Sequence, residues 1–470
     1  MSRSYCYRSI GWVLFAICML LTGCSSDDNS GKSPTGPTYL ATDFFVSAAS
    51  GLDENTGKKD APLKSIRRGI DSAKVTGGRV FVAEGVYDEG VLFFDDKVRL
   101  LGGCKEGTFA RGIPGVVTVI NCIAVGLVIH DADSVTIDGF TINCVAELLP
   151  PRIHAIAISL HNADAITISN NVITCGNGTA GESFFKPETP AKSPNGHPGV
   201  DANTDGCTIF ACPPSPGGEG GELYGANCGD GGDGCPSKCD DGEYGQGPGG
   251  AGGVSKGLLG GVGENGSDGG LGFYVGVPGA GGAAFGTVYD GFYVPADGGN
   301  GTEGANGGGG GGGGGGGSIL FKGGSGGGGG AGAHGGCGGH GGGGGGASIG
   351  IVISGDSHAT ITHNTITTRN GGVGGNGAPG GDPGEPGIGG AGGAGNGWGS
   401  AGGRGGNGGP GRIGGIGGGG GGGPSICIFE AAESSSTLSE NTYIHGAGGF
   451  GGAGPGNSGA LGEAADHKKL

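Results

Sequence analysis

The sequence predicts an all-β fold: a parallel solenoid with an N-terminal capping helix and long glycine-rich insertions. Three observations carry that reading. The segments Ile137-Asp-Gly-Phe-Thr-Ile142, Ile168-Ser-Asn-Asn-Val-Ile173, Ile361-Thr-His-Asn-Thr-Ile366 and Leu438-Ser-Glu-Asn-Thr-Tyr443 align without gaps. Apolar pairs, Ile156/Ile158, Ile351/Ile353 and Ile426/Ile428, recur at one phase before them, which is the mark of a repeat. Finally, 130 of 470 residues are glycine and only 6% are aromatic, so a large share of the chain lacks the side chains for a conventional core. Short strands with inward apolar residues and tight Asn/Asp/Gly turns bury their apolar row only by stacking coil on coil.

Taken from the N-terminus, Arg3 and Arg8 precede the apolar stretch Ile10 to Leu21, the layout of a secretory leader and too short for a comfortable membrane span. At its end, Leu21-Thr22-Gly23-Cys24 resembles the lipobox of bacterial lipoproteins. That resemblance implies removal of residues 1–23, lipid attachment at Cys24 and, because Ser25 rather than Asp follows, anchorage in the outer membrane, exposed at the cell surface or alternatively on the periplasmic face. A cleaved leader with an incidental cysteine is the alternative. Removing Arg3 and Arg8 leaves 23 basic against 42 acidic residues, a formal charge of −19, which disfavours nucleic acid as a partner. Of 14 cysteines, Cys6 and Cys18 leave with the leader and Cys24 takes the lipid; the remaining 11 would sit in an oxidising compartment, where disulfides form. Residues 24–42, polar and proline-containing, read as a tether.

Residues 43–175 read as the cap and first coils. Asp43 to Ser47 is a strand, and Leu63, Ile66, Ile70 and Ala73 fall at helical spacing after a start at Asp60-Ala-Pro62. Val80 and Val82, then Gly85, Tyr87, Val91 and Phe93, then Val98 and Leu100 before Gly102-Gly103, follow as strands and turns. Asn171, Asn364 and Asn441 occupy one coil position and would form a ladder of side-chain amides, unless they are a surface row. By alternation Asn364 points inward and His363 outward. Cys122, Cys144 and Cys175 also recur at one position. Strand spacing of roughly 4.8 Å lets stacked cysteines bridge, while buried free thiols remain an equal reading.

The run Phe45-Val-Ser, Gly51, Asp53, Asn55-Thr-Gly57, Asp60-Ala-Pro-Leu-Lys-Ser-Ile66, then Gly78-Arg-Val-Phe-Val82 and Gly85-Val-Tyr87, resembles the N-terminal module of right-handed parallel β-helix proteins of the pectin-lyase-like superfamily. The resemblance covers residues 43 to 175, 347 to 368 and 425 to 445. Together with the lipobox and glycine content, the chain is similar to glycine-rich surface lipoproteins of Gram-negative bacteria. The superfamily hosts lyases, hydrolases, epimerases, adhesins and tailspikes, so the resemblance implies a scaffold and no particular reaction.

Residues 176–346 and 371–424 are insertions that leave the solenoid at the same phase, on either side of a coil at 347–370; a further coil at 425–446 is followed by a glycine-rich polar tail at 447–470. In the second insertion glycine recurs every third residue from Gly402 to Gly423, the period of a polyproline-II-type helix. Proline is too scarce for collagen, and chains without Cβ can approach to exchange backbone hydrogen bonds, so polyglycine-II bundles are expected. Disorder is the alternative, because ordering glycine costs the most backbone entropy.

Few residues suggest chemistry. His334, Cys337 and His340 follow one another at three-residue steps, so on an extended helix each would stand roughly 9 Å from the next, too far to share one ion. Cys207, Cys212, Cys228, Cys235 and Cys239 lack a CxxC pair and read as disulfide staples. Asp131, Asp133 and Asp164 are the best paired acids, yet they sit in ordinary turns; Arg152 and Arg369 lie in inserted loops. Asp53, Asn55 and Asp60 suit Asx turns as well as calcium. No cofactor is implied. The function expected is a noncatalytic, lipid-anchored surface scaffold or adhesin displaying glycine-rich arms to extracellular glycan or envelope components. The alternatives are a polysaccharide lyase or glycoside hydrolase, or a glycan-binding module.

Overall fold

The computed structural model describes residues 38–146, 150–202, 215–221, 241–246, 249–256, 261–317, 322–397, 399–455 and 457–470. Cys24 and the insertion cysteines Cys207, Cys212, Cys228, Cys235 and Cys239 lie outside these residues.

Strand β1 (Phe44–Val46) and helix α1 (Ile66–Ala73) open the body. The helix begins later than Asp60-Ala-Pro62 would place it, because Ser65 supplies the N-cap: its hydroxyl accepts the Arg68 N–H at 3.3 Å. Asp53 fixes that cap by accepting the Lys64 and Ser65 N–H groups at 2.9 and 2.8 Å. Ile66, Ile70 and Ala73 turn inward and close the first coil.

Every later coil contributes three strands. The first has β2 (Arg79–Ala83), β3 (Gly85–Asp88) and β4 (Leu92–Phe93); the second β5 (Arg99–Cys104), β6 (Thr118–Ile123) and β7 (Val125–His130). The third has β8 (Thr136–Asp138), β9 (Thr141–Val145) and β10 (Ala155–His161). The fourth begins with β11 (Ile166–Ser169) and β12 (Val172–Cys175). It is then interrupted by a segment carrying the hairpin β13 (Thr287–Tyr289) and β14 (Phe292–Val294), and resumes at β15 (Ser348–Ser354). Coil five is β16 (His358–Thr362), β17 (Thr365–Thr367) and β18 (Ser425–Glu430); coil six is β19 (Ser435–Ser439), β20 (Thr442–Ile444) and β21 (Ala464–Lys469). Stacking produces three parallel sheets, β1-β2-β5-β8-β11-β16-β19, β4-β7-β10-β15-β18-β21 and β3-β6-β9-β12-β17-β20. The chain is a parallel β-helix.

Ile137, Ile168 and Ile361 stand in register on neighbouring coils and are fully buried, as are Ile142, Ile173 and Ile366. Each such side chain contributes roughly 1.5–3 kcal/mol. The asparagines run alongside as a ladder. Asn364 Oδ1 accepts both the N–H and the Nδ2–H of Asn171 at 3.0 Å, and Asn441 Oδ1 accepts the equivalent pair from Asn364 at 2.9 and 3.0 Å. Cys122 and Cys144 form a disulfide with Cα atoms 4.6 Å apart, whereas Cys175, paired in register with Cys144, is a buried free thiol. Burial pushes its pKa up to about 12, so it stays protonated.

Two readings are corrected. Residues 447–470 are not a tail: Gly446 to Gly462 packs with the other glycine-rich segments and β21 pairs with β18, held by Glu430, which bonds Lys469 and His467. Nor do all the apolar pairs face inward. Pairing is interrupted at Ala157, Gly350 and Cys427, so Ile156, Ile349 and Ile426 turn outward into a second cluster with Val352, Phe429 and Tyr293 of the hairpin.

Candidate functional site

The longest connections gather at one corner of the coils. Between the β3-type and β4-type sheets the connection is Glu89 to Val91 on coil one and Ala124 alone on coil two, but it widens to 176–347, 368–424 and 445–463 on coils four to six. The corner therefore carries a cleft at one end and the insertions at the other.

The cleft encloses about 500 Å³ and is lined by Asp88, Glu89, Gly90, Asn121, Cys122, Ile123, Asn143 and Val145. Register creates it, since Asp88, Asn121 and Asn143 are directly opposed on β3, β6 and β9, and so are Ile123 and Val145. Asn121 Nδ2 donates to Asp88 Oδ1 at 2.8 Å and Asn143 Nδ2 to Asn121 Oδ1 at 3.3 Å, giving a polar row beside an apolar one. Glu89 is tied back to the helix, accepting the Ile66 N–H at 2.6 Å, and burial raises its pKa despite that bond.

The insertions form ordered extended rows whose backbone hydrogen bonds recur every third residue, the repeat of a polyglycine-II helix. Row 323–346 is central. It bonds row 298–317 (Gly310 N–H to Gly330 O, 2.9 Å), row 401–423 (Gly330 N–H to Gly406 O, 2.9 Å), row 371–395 (Gly387 N–H to Ala331 O, 2.7 Å) and row 178–202 (Gly328 N–H to His197 O, 2.9 Å). Rows lie so close that a Cβ on Gly330 would meet Gly387 O. At about 3.1 Å per residue the central row is about 70 Å long, against about 23 Å for β15.

Asparagine sets the register of these rows. Asn177 Oδ1 accepts the Asn370 N–H at 3.0 Å while Gly178 returns its N–H to Asn370 O at 3.0 Å. The same two-bond clamp joins Asn195-Gly196 to Ile388 and Asn265-Gly266 to Arg404. Sequence reading missed this device, although the nine Asn-Gly dipeptides between residues 177 and 408, eight of which form the clamp, were its visible signal.

Other sequence candidates have structural partners. Asp133 Oδ1 accepts the Asp164 N–H at 3.2 Å and Asp131 Oδ1 accepts Asn162 Nδ2 at 3.1 Å, so these acids brace turns from coil to coil. Arg152 grips Asp297 at 2.7 and 2.8 Å at the root of the bundle, and the Arg369 N–H donates to Ser348 Oγ. Asp53 spends both oxygens on Lys64 and Ser65; burial opposes its charge, but those donors prevail and lower its pKa. Asn55 Nδ2 donates to Pro62 O. His334, Cys337 and His340 lie along the central row, their carbonyls accepting the N–H groups of Gly384, Gly381 and Ala378. A serine–histidine contact unseen in the sequence, Ser159 Oγ at 2.9 Å from His130 Nε2, also belongs to packing: the hydroxyl donates to Gly291 O at 2.8 Å and clamps the hairpin tip.

A family model described as a protein of unknown function (DUF1565) matches residues 49–204. No curated protein matches the chain. Among solved structures, a rhamnogalacturonan lyase is similar at 11% identity over 33% of this chain and 42% of its own, with a TM-score of 0.23. A GH136 lacto-N-biosidase from Eubacterium ramulus is similar at 11% identity over 30% and 36%, with a TM-score of 0.16. The chain thus spans less than half the length of either enzyme. The strand pairing and register alone make the protein a parallel β-helix with glycine-rich insertions.

Proposed function

We propose that the protein is a noncatalytic surface scaffold, held in the outer membrane by lipid on Cys24, whose β-helix presents a polyglycine-II bundle to extracellular glycan or envelope components. One observation supports this above the others: the connections 176–347, 368–424 and 445–463 all leave from one corner and bond into one array, so the coils act as its mount. Protease shaving of intact cells tests the reading. Peptides from 178–202 and 371–423 should be released from whole cells expressing the natural chain, and Cys24→Ala should move the protein from membrane to soluble fractions. Retention of both peptides by intact cells, or unchanged fractionation of the variant, overturns it.

The cleft supports a second reading, glycan binding with or without cleavage. Its polar row offers carboxylate and amide groups to hydroxyls, its apolar row a face for ring C–H groups, and among the described residues no Lys or Arg lines it. That lining suits neutral rather than uronate sugars. A neutral-glycan array and a depolymerisation assay, each with Asn121→Ala as control, decide between binding, turnover and neither.

A further inference from the structure

We propose that Asn396 is a site of spontaneous self-modification, deamidation through a succinimide, and that the bundle protects the other eight Asn-Gly sequences from the same chemistry. An asparagine followed by glycine is prone to this reaction because no Cβ hinders attack by the next backbone nitrogen. Asn177, Asn195, Asn265, Asn300, Asn306, Asn370, Asn376 and Asn407 share one environment. Each side-chain oxygen accepts a backbone N–H of a neighbouring row, from Asn370, Ile388, Arg404, Gly341, Gly335, Ala447, Ala453 and Gly389 respectively, at 2.8 to 3.1 Å. Each following glycine donates its own N–H to a carbonyl of that row at 2.8 to 3.0 Å, as Gly178 does to Asn370 and Gly377 to Ala453. The attacking nitrogen is thereby held on another acceptor and the side-chain carbonyl is turned away from it.

Asn396-Gly397 departs from this pattern. It occupies the turn between rows 371–395 and 401–423, where the Asn396 N–H donates to Gly399 O and Gly399 returns its N–H to Asn396 Oδ1, both at 2.8 Å. Gly397 donates to no carbonyl among the described residues, and a Cβ there would meet nothing within 4 Å. Exposure does not make the distinction, since Asn177, Asn195 and Asn376 are exposed as well; the clamp does.

In the reaction, Gly397 N loses its proton and bonds to Asn396 Cγ, the Cγ–Nδ2 bond breaks and ammonia leaves. Water then opens the imide at either carbonyl, leaving aspartate or isoaspartate. The product has lost the Nδ2 donor that reaches Ala202 O at 3.0 Å, and it carries a new negative charge. Ageing would therefore loosen the tie between this turn and row 178–202.

The test is peptide mapping with isoaspartate detection on the full chain incubated at mildly alkaline pH, with peptides from its own digest incubated alongside as the unclamped reference. In the folded chain Asn396 should convert at least about tenfold faster than any of the eight clamped asparagines. In the digest all nine should convert at comparable rates. Conversion of a clamped asparagine as fast as Asn396 in the folded chain overturns the proposal. So does an Asn396 as slow as the clamped sites while the digest reacts.

Discussion

In the β-helix, Ile137, Ile168 and Ile361 hold successive coils together by burying side chains, whereas around Gly330 successive rows are held by backbone hydrogen bonds with no side chain between them. The first lattice draws its stability from apolar area and tolerates small adjustments of packing. The second pays the full ordering entropy of glycine and recovers it only because every row is bonded to several others. Both nevertheless use one device, an asparagine oxygen accepting a backbone N–H from the next unit. In the β-helix Asn171 and Asn364 do so while buried, accepting the N–H groups of Phe140 and Asn171; in the bundle Asn195 and Asn376 do so at the surface. The difference shows that the same hydrogen bond is structural in one region and chiefly a register mark in the other.

The largest effect should come from adding a single carbon to the bundle. A Cβ on Gly342 would overlap Gly375 O and its carbonyl carbon, both backbone atoms of a packed row. Gly342→Ala should therefore cost the bundle about 3 kcal/mol or more. Amide exchange at Gly375 and Gly420, which donate to Gly343 O and Gly375 O, should accelerate sharply while that of Ile168 and Ile361 is unchanged. Equal acceleration in both regions would mean that they unfold as one unit and would break the comparison.

Next comes the buried ladder. Asn364→Leu strands the backbone N–H of Asn171 and one N–H of its amide, the other staying on Ile137 O, and empties the bonds to Ile168 O and Asn441 Oδ1, at about 1 to 3 kcal/mol for each buried group left unpaired. Its neighbour His363 is exposed, has a φ of 56° and pairs with Glu440 at the surface. His363→Asn, suited to that left-handed backbone, should stay within about 0.5 kcal/mol. Denaturant melts with unchanged slope supply the comparison, and equal losses at the two positions would contradict the inward setting of Asn364.

How far each region was legible in the sequence follows from what carries its stability. Coils stabilised by Ile137, Ile168 and Ile361 leave an apolar row that can be read without a structure. β21, with the sequence Ala464-Ala-Asp-His-Lys-Lys469, leaves none, because it covers the sheet edge and is placed by pairing with β18 and by Glu430. The threefold glycine repeat announced extended rows but not their neighbours, since backbone-to-backbone bonds carry no residue identity; the side-chain clamps do, at eight Asn-Gly dipeptides and also at Ser183, Asp201 and Asp268. Three equivalent cysteines gave no basis for choosing the Cys122–Cys144 bridge over one to Cys175. The cleft stayed hidden because Asp88, Asn121 and Asn143 become neighbours only through register.

The smallest effect should be found at a surface clamp, and it is the most informative about the shared device. Asn195 Oδ1 accepts the Ile388 N–H at 2.8 Å, and Gly196 returns its N–H to Ile388 O at 2.9 Å. In Asn195→Ala the second bond remains and the extended backbone is undisturbed, because alanine adopts it readily. The Ile388 N–H lies at an exposed edge, so water can replace the lost acceptor, and the net loss should be about 0.5 to 1 kcal/mol, well below that for Asn364→Leu. Amide exchange at Ile388 should rise several-fold while Gly330 and Gly406, bonded inside the array, keep their protection. A loss equal to that of Asn364→Leu would show that the surface asparagines hold the rows together rather than set their register.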